Sequence, residues 1–216
     1  SLSQQNAPVH ASDEAIRRAT AAYYGMTTTV DTYFGRILSR LEALGQNLDD
    51  WIIVYTSDHG EMLGEHGIWE KTRFYEGSVR VPLIIRWPEH FSGSRTIGEN
   101  VNLCDLYATL CDLVGIEKPD ELDSRSMVPL MSGNANGWIN ESVSQFLDRH
   151  VMIKRDDLKY QYYGEETPEV LFDLSADPGE RTNCAGDPRY AGAMEAFRRR
   201  LSELGHGPGA NPDYRN

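Results

Sequence analysis

The pattern of hydrophobic and polar positions predicts a long helix followed by a short buried strand. Ser12, Asp13 and Glu14 are helix-start residues, and the acidic side chains suit the positive end of a helix dipole. Gly45 is the expected C-terminal cap. Trp51 to Tyr55 is a short, β-branched apolar run, which predicts a strand buried on both faces. The helix is expected to pack on a sheet through a seven-residue stripe of Ile16, Tyr23, Val30, Ile37 and Leu44, widened by Met26, Phe34, Leu38 and Leu41.

Further along the chain the periodicity changes twice. Val81 to Trp87 predicts a second buried strand, and leucines at helical spacing from Leu103 to Leu113 predict a helix closed by Gly115. From Glu141 onwards, short apolar runs separated by turn residues predict an antiparallel meander. The strand candidates are Glu141 to Leu147, Val151 to Lys154, Leu158 to Tyr163 and Val170 to Leu174, and a last helix runs from Pro188 to Leu204 with Met194, Phe197 and Leu201 on one face.

These patterns together predict an α/β fold in two parts. Residues 1–135 are expected to form an α/β core layer, because a helix followed closely by a buried strand is half of an α/β repeat. Residues 136–216 are expected to form a small antiparallel α+β subdomain. A chain of 216 residues is long enough for one large domain or for a core layer with such an appendage.

Chemically useful side chains are concentrated where the first predicted strand ends. Asp58 and His59 follow it directly, and the ligands of an open α/β sheet sit at the carboxyl ends of its strands. A carboxylate beside an imidazole suits a divalent cation, and Gly60 is expected to let the backbone turn so that both face one point. His66 and Lys71 come next in the same loop. Taken singly, Asp58 would be a turn residue and Lys71 a solvated surface lysine.

A longer string around these residues carries a family resemblance. SDHGEMLGEHGIWEK followed by YEGSVRVPLIIRWP resembles the metal-and-lysine segment of the type I, formylglycine-dependent sulfatases of the alkaline phosphatase superfamily. The similarity continues upstream through YYGMTTTVDTYFGRILSRLEALG and downstream through LFDLSADPGERTN. It covers most of the chain and resembles the C-terminal half of the family. The expected fold is therefore the C-terminal part of an alkaline-phosphatase-like, sulfatase α/β sandwich.

The resemblance implies a role for each residue of the loop. Asp58 and His59 match positions that bind Ca²⁺ in the family. By residue type alone, the carboxylate favours Ca²⁺ or Mg²⁺, and the imidazole would also tolerate Zn²⁺ or Mn²⁺. Lys71 matches the lysine that contacts both the nucleophile and a sulfate oxygen. His66 either donates to the substrate or ties the loop down. Tyr75, Glu76 and Arg80 match the same phrase and are read as shaping the loop.

The family's nucleophile has no counterpart in this sequence. It is a formylglycine made from Cys or Ser in a Cys/Ser-x-Pro/Ala-x-Arg signature, and it lies in the N-terminal half of the family. Cys104, Cys111 and Cys184 do not begin that pattern. The formylglycine is therefore expected outside this chain, and the chain alone is expected to be inactive.

Composition narrows the possible partners. A formal charge of −12 argues against nucleic acid and against an anionic membrane surface. The sequence has no apolar run of membrane-spanning length. Three cysteines do not suggest a disulfide framework, which favours a reducing compartment. The expected partner is a small sulfated substrate. A truncated sheet would also expose strand edges and an apolar helix face, so self-association through that surface is expected.

Three functions therefore remain open. The first is a sulfatase that hydrolyses sulfate monoesters with metal assistance. The second, from the same superfamily, is a phosphate or phosphonate monoester hydrolase, because it uses a similar site. The third is a catalytically inert metal-binding or interaction module.

Overall fold

The computed structural model describes residues 11–91, 93–147 and 149–210, which form two compact units that divide between Ser94 and Arg95. The first unit contains the helix α1 (Asp13–Ala43), the strand β1 (Ile53–Thr56), the short helix α2 (Glu76–Val79) and the strand β2 (Leu83–Arg86). The second unit contains the helices α3 (Asp105–Val114), α4 (Val128–Met131) and α5 (Ala191–Glu203) and the strands β3 (Glu141–Phe146), β4 (His150–Arg155), β5 (Leu158–Tyr162) and β6 (Val170–Asp173).

The long first helix forms as predicted, but its packing differs from the predicted stripe. The Ser12 hydroxyl accepts from the Ala15 N–H at 3.2 Å and caps the helix, and Gly45 follows the last turn with a φ of 80°. No described side chain of α1 is buried, and Val30 and Ile37 are more than half exposed. The half-buried residues include Ile16, Tyr23, Phe34, Leu38 and Leu41, all of them members of the predicted stripe, and the Phe34 ring lies 5.3 Å from the Tyr55 ring of β1.

The two strands of the first unit pair with each other in antiparallel register. Ile53 lies opposite Arg86 and Thr56 lies opposite Leu83. The prediction that the first strand is buried on both faces was wrong, because Ile53 to Tyr55 are only half-buried and Thr56 is exposed. An apolar run shows that a segment can be buried, whereas its actual burial depends on what packs against both faces.

The antiparallel meander predicted for the second unit is confirmed. The strands follow one another in the order β3, β4, β5, β6, each antiparallel to the next. One face of this sheet packs on α5, whose Met194, Phe197 and Leu201 are buried as the spacing predicted. The core that results is closed, and its other buried members are Val151, Ile153, Tyr160, Tyr162 and Leu171.

Three charged side chains buried in the second unit, Lys159, Glu180 and Glu141, have charged partners. Lys159 and Glu180 form an ion pair at 2.7 Å with both side chains almost completely excluded from solvent. Glu141 accepts from Arg155 and from Arg200, which ties β3 to β4 and to α5. A buried charge is costly unless it is paired, so these contacts keep the sheet edge compatible with a closed core.

Residues 95–140 belong to the second unit in this structure. Asn100 donates to the main-chain oxygens of Asn140 and Asp156, and Arg125 donates to that of Glu141 at 2.8 Å. The predicted division near residue 136 stays a prediction. Cys104, Cys111 and Cys184 are free thiols. Within the described ranges, the helices are too short or too polar to cross a bilayer.

Candidate active site

The candidate site begins one residue after β1, where Ser57, Asp58 and His59 leave the strand. The Asp58 carboxylate accepts from the His59 N–H at 3.0 Å and from the Ser57 hydroxyl at 3.3 Å, both through Oδ1. The Ser57 hydroxyl also lies 2.8 Å from the His59 carbonyl oxygen. The His59 N–H holds the pKa of Asp58 below its usual value, so the carboxylate is ionised at neutral pH. These bonds leave Oδ2 without a hydrogen bond.

The His59 ring is oriented by its own neighbour. Its Nδ1 lies 2.8 Å from the Gly60 carbonyl oxygen, and because a carbonyl can only accept, Nδ1 carries the hydrogen. In the neutral ring the lone pair is then on Nε2, which lies 3.4 Å from Asp58 Oδ2. A ring nitrogen tied to a backbone carbonyl is the usual support of a metal-binding histidine. The two atoms that can bind a cation therefore lie side by side.

Gly60 is required here for a reason that differs from the sequence prediction. Its φ is not in the left-handed region, so the chain does not need glycine for a special turn. Instead, its N–H donates to the Ser78 carbonyl oxygen at 2.7 Å, and a Cβ would overlap the Gly77 carbonyl oxygen. Only a residue without a side chain allows the two backbones to approach this closely. This contact anchors the chain just after Asp58 and His59 to α2.

The loop after Gly60 is unusually strained. Leu63, His66, Glu70 and Thr72 have φ values of 49°, 53°, 70° and 82°, although none is a glycine. A left-handed conformation is unfavourable for a residue with a Cβ and persists only where surrounding contacts impose it. Lys71 therefore lies between two strained residues.

Contacts of Glu61 account for part of this conformation. Its Oε1 accepts from the Glu70 N–H at 2.6 Å and from the Leu63 N–H at 3.2 Å. Beside it, the Met62 N–H donates to the Glu70 carbonyl oxygen at 2.9 Å, and the Met62 side chain is fully buried. The two limbs of the loop are thus joined at its base. The sequence gives no signal of these contacts, because a glutamate in a charged loop is usually solvated.

His66 and Lys71 differ in their surroundings. The His66 ring stacks on the Tyr75 ring, with the centroids 3.9 Å apart and the planes 13° apart. This contact fits the loop-holding alternative. Lys71 is exposed and makes no hydrogen bond or ion pair with any residue in the described ranges. Its ammonium is therefore available to a ligand.

The donors present fit a hard divalent cation only as part of a shell. Two atoms 3.4 Å apart can both lie about 2.3–2.6 Å from one Ca²⁺ ion. Ca²⁺ takes about six to eight ligands, nearly all of them oxygen, so the Asp58 carboxylate and the nitrogen of His59 would supply only a minority of its shell. Over residues 11–91, 93–147 and 149–210, no group of three or more His, Cys, Asp or Glu side chains is arranged to hold a metal.

Two family models match this chain over overlapping ranges. The sulfatase model matches residues 2–116, which include the whole loop from Asp58 to Lys71. The model of the C-terminal part of N-sulphoglucosamine sulphohydrolase matches residues 64–206, which include the meander and the last helix. Each covers more than half of the chain.

Curated relatives and a solved structure agree with these matches. An arylsulfatase of Clostridium perfringens is 32% identical over 87% of this chain and 40% of its own length. A multifunctional alkaline phosphatase superfamily protein of Trinickia caryophylli is 32% identical over 84% of this chain and 39% of its own. The crystal structure of a phosphonate monoester hydrolase of Agrobacterium radiobacter superposes with a TM-score of 0.80 at 33% identity, over 89% of this chain and 42% of that chain.

The chain thus spans about two fifths of the length of these relatives. Its fold is that of the corresponding part of the alkaline-phosphatase-like sulfatases, as the sequence predicted. Since both family models match, and since the loop at the end of β1 lies in one and the meander in the other, the chain belongs to the sulfatase family of the alkaline phosphatase superfamily.

Proposed function

We propose that this chain is the metal-and-lysine part of an enzyme that hydrolyses sulfate monoesters. The observation that carries the proposal is the pairing of Asp58 Oδ2 with His59 Nε2, 3.4 Å apart at the end of β1, with the His59 ring fixed by the Gly60 carbonyl. Such an arrangement has no evident structural purpose, because Asp58 is largely exposed and its hydrogen bonds within the motif are local.

Asp58 and His59 would hold the divalent cation, with Ca²⁺ expected first and Mg²⁺ second. When bound, the cation would draw charge from the oxygens of the sulfate group. The chain's own contribution is to keep the carboxylate ionised and the imidazole in the tautomer with a free Nε2. Both follow from local hydrogen bonds, so the two donors are in place before any ligand arrives.

Lys71 would act on the substrate directly. An ammonium without a partner among the described residues can place its charge against an anionic group, and charge on the transferring group increases as the ester bond breaks. His66 would hold the loop through Tyr75, with a donated hydrogen bond to the substrate as the other possibility. The nucleophile, a formylglycine in the resembled family, would be supplied by sequence outside this chain.

The second candidate is hydrolysis of phosphate or phosphonate monoesters. It is favoured by the TM-score of 0.80 with a phosphonate monoester hydrolase. Sulfate and phosphonate esters both present a tetrahedral anionic group, and a cation with a lysine would serve either. The third candidate, an inert metal-binding or interaction module, predicts cation binding without turnover.

The test uses the protein as its gene encodes it, with matched aryl esters of sulfate, phosphate and phosphonate. We expect the sulfate ester to have the highest kcat/KM. Lys71→Ala should lower that value about 100-fold or more, as loss of a group that stabilises transition-state charge does. Arg18→Ala removes an exposed cation of α1 and is the matched control, expected to change nothing. A higher kcat/KM for the phosphonate ester would favour the second candidate, and Ca²⁺ binding without any turnover would favour the third.

The chain by itself should release product from these esters no faster than buffer. It should also self-associate, because Val30 and Ile37 of α1 are more than half exposed. Sedimentation velocity at several concentrations measures this. A monomer at all concentrations would contradict the expectation, whereas a charge at both positions, Val30→Lys with Ile37→Lys, should shift the distribution towards monomer.

A further inference from the structure

The loop that carries Lys71 is held by hydrogen bonds of its own, which are separate from those that hold Asp58 and His59. We propose that Glu61 is a positioning residue, which sets the location of the Lys71 ammonium by holding the backbone of Glu70. The inference rests on the proposed function, since it concerns how Lys71 reaches the substrate.

The contacts of Glu61 show how it would act. Its Oε1 accepts from the N–H of Glu70, the residue directly before Lys71, at only 2.6 Å. The same oxygen accepts from the Leu63 N–H, and both Leu63 and Glu70 have left-handed φ values of 49° and 70°. A charge-assisted bond from a carboxylate is about twice as strong as a neutral one. The bond therefore offsets backbone strain at the base of the loop.

Lys71 has no other described contact that would fix it. Its side chain is exposed and lies outside the hydrogen bonds and ion pairs of the described ranges, and Thr72 after it has a φ of 82°. Its position is thus determined by the backbone on either side. If Glu70 relaxed towards an ordinary negative φ, the backbone at Lys71 would rotate and its side chain would leave the chain in a different direction. A displacement of about 1 Å at such a group can cost about 100-fold in rate.

The metal-binding pair is anchored differently. Gly60 is held through its N–H to Ser78, and the His59 ring is held by the Gly60 carbonyl. Neither bond involves the Glu61 side chain. Loss of the Glu61 carboxylate should therefore displace Lys71 and leave Asp58 and His59 in place, which separates this role from a general collapse of the site.

Glu61→Ala and Glu61→Gln test the proposal in the protein as its gene encodes it. The glutamine keeps an oxygen that accepts both hydrogen bonds, whereas alanine removes it. We expect Glu61→Ala to lower kcat for the sulfate ester by about tenfold to 100-fold, and Glu61→Gln to stay within about threefold of wild type. Glu89→Ala, which removes an exposed glutamate of the same unit, is the matched control and should leave kcat unchanged.

A double-mutant cycle distinguishes positioning from a merely structural effect. If Glu61 acts through Lys71, then Glu61→Ala should cost less than about threefold in a Lys71→Ala background, because the group that it positions is gone. Calorimetry with Ca²⁺ should give the same affinity for Glu61→Ala as for wild type. Equal losses in both backgrounds, or a Ca²⁺ affinity that falls with kcat, would refute the positioning role.

Hydrogen exchange tests the contact without any turnover. The Leu63 and Glu70 amides should exchange faster in Glu61→Ala than in wild type, while the Gly60 amide should be unchanged. If the Leu63 and Glu70 amides of Glu61→Ala exchanged no faster than in wild type, the inference would be overturned even in an active enzyme. Normal kcat in Glu61→Ala would also overturn it and leave the proposed function standing. No turnover by wild type would instead refute the proposed function, and with it any role for Lys71 that Glu61 could support.

Discussion

The two units of this protein reach order by different means. In the second unit, Ile153, Tyr160, Leu171 and Leu201 are almost completely excluded from solvent, so the meander and α5 enclose a core of their own. In the first unit, α1 has no buried described residue and β1 is half-buried. The loop with the candidate site is ordered there by hydrogen bonds, close backbone approach and a stacked ring pair. A closed apolar core therefore stabilises the second unit, whereas the loop of the first unit combines the buried Met62 and Phe74 with local polar contacts.

The largest expected effect is the difference in the free energy of unfolding between removing a leucine of the second unit and removing one of the first. Leu201→Ala removes a side chain that is 1% exposed, and a cavity in a closed core costs about 2–5 kcal/mol of the free energy of unfolding. Leu44→Ala removes one that is 59% exposed at the end of α1, where the change should be within about 0.5 kcal/mol. Urea unfolding followed by far-UV circular dichroism measures both. Equal losses would break the comparison, because they would show that the end of α1 is covered in solution.

The second effect compares two glycines of the first unit, Gly60 in a close backbone contact and Gly25 on an open face of α1. A Cβ at Gly60 would overlap the Gly77 carbonyl oxygen, so Gly60→Ala should cost about 1–3 kcal/mol, as overpacking does, and should lower the Ca²⁺ affinity. Apart from the adjoining residues and the backbone of the helix itself, no described atom would lie within 4 Å of a Cβ at Gly25 of α1. Gly25→Ala should stabilise the helix by about 0.5–1 kcal/mol. Unfolding and Ca²⁺ calorimetry report both; an unchanged Ca²⁺ affinity in Gly60→Ala would show that this close approach does not support the site.

The smallest effect is electrostatic and belongs to the second unit. The Arg198 guanidinium, together with the Tyr160 hydroxyl, holds the pKa of Glu169 below its usual 4.5. A depressed folded-state pKa adds stability above the unfolded value, and this stability is lost as the pH falls through the folded value. Arg198→Ala should therefore cost about 1 kcal/mol or less at pH 7, and the difference from wild type should shrink below pH 4.5.

Arg199→Ala is the control for this effect, since Arg199 is exposed and lies next to Arg198 in α5. Urea unfolding at pH 7 and at pH 3 gives the comparison. A difference between Arg198→Ala and wild type that does not depend on pH would mean that packing, rather than the charge on Glu169, is responsible.

The sequence predicted the second unit better than the first. Alternating and helical periodicity sufficed for the meander and for the buried face of α5, because the unit supplies both sides of its core. The same reasoning failed for the burial of β1 and held only in part for the stripe on α1, where Phe34 contacts the strand whereas Val30 and Ile37 are exposed. Periodicity identifies an apolar face without identifying what packs on it.

In the candidate site, the sequence identified the candidate residues but not the hydrogen bonds and backbone conformation that hold them. Asp58 and His59 lie side by side as predicted, and their metal-binding role stays a prediction. Left-handed φ values at Leu63, Glu70 and Thr72 had no signal in the sequence, because glycine is the residue that usually marks such positions. The hydrogen bonds of Glu61 depend on that backbone, so they could not be inferred before it was seen.

The closed base of the loop has a practical meaning for protein engineering. Gly60 and Ser78 meet through a backbone hydrogen bond, so the intervening segment enters and leaves at nearly the same point. A segment whose two ends lie close together can be exchanged between related proteins with little disturbance, provided that Gly60 and Ser78 are transferred with it. A chimaera that exchanges only the central GEHG would instead place that sequence between flanking residues of another protein, without the Gly60 and Ser78 that close its own loop.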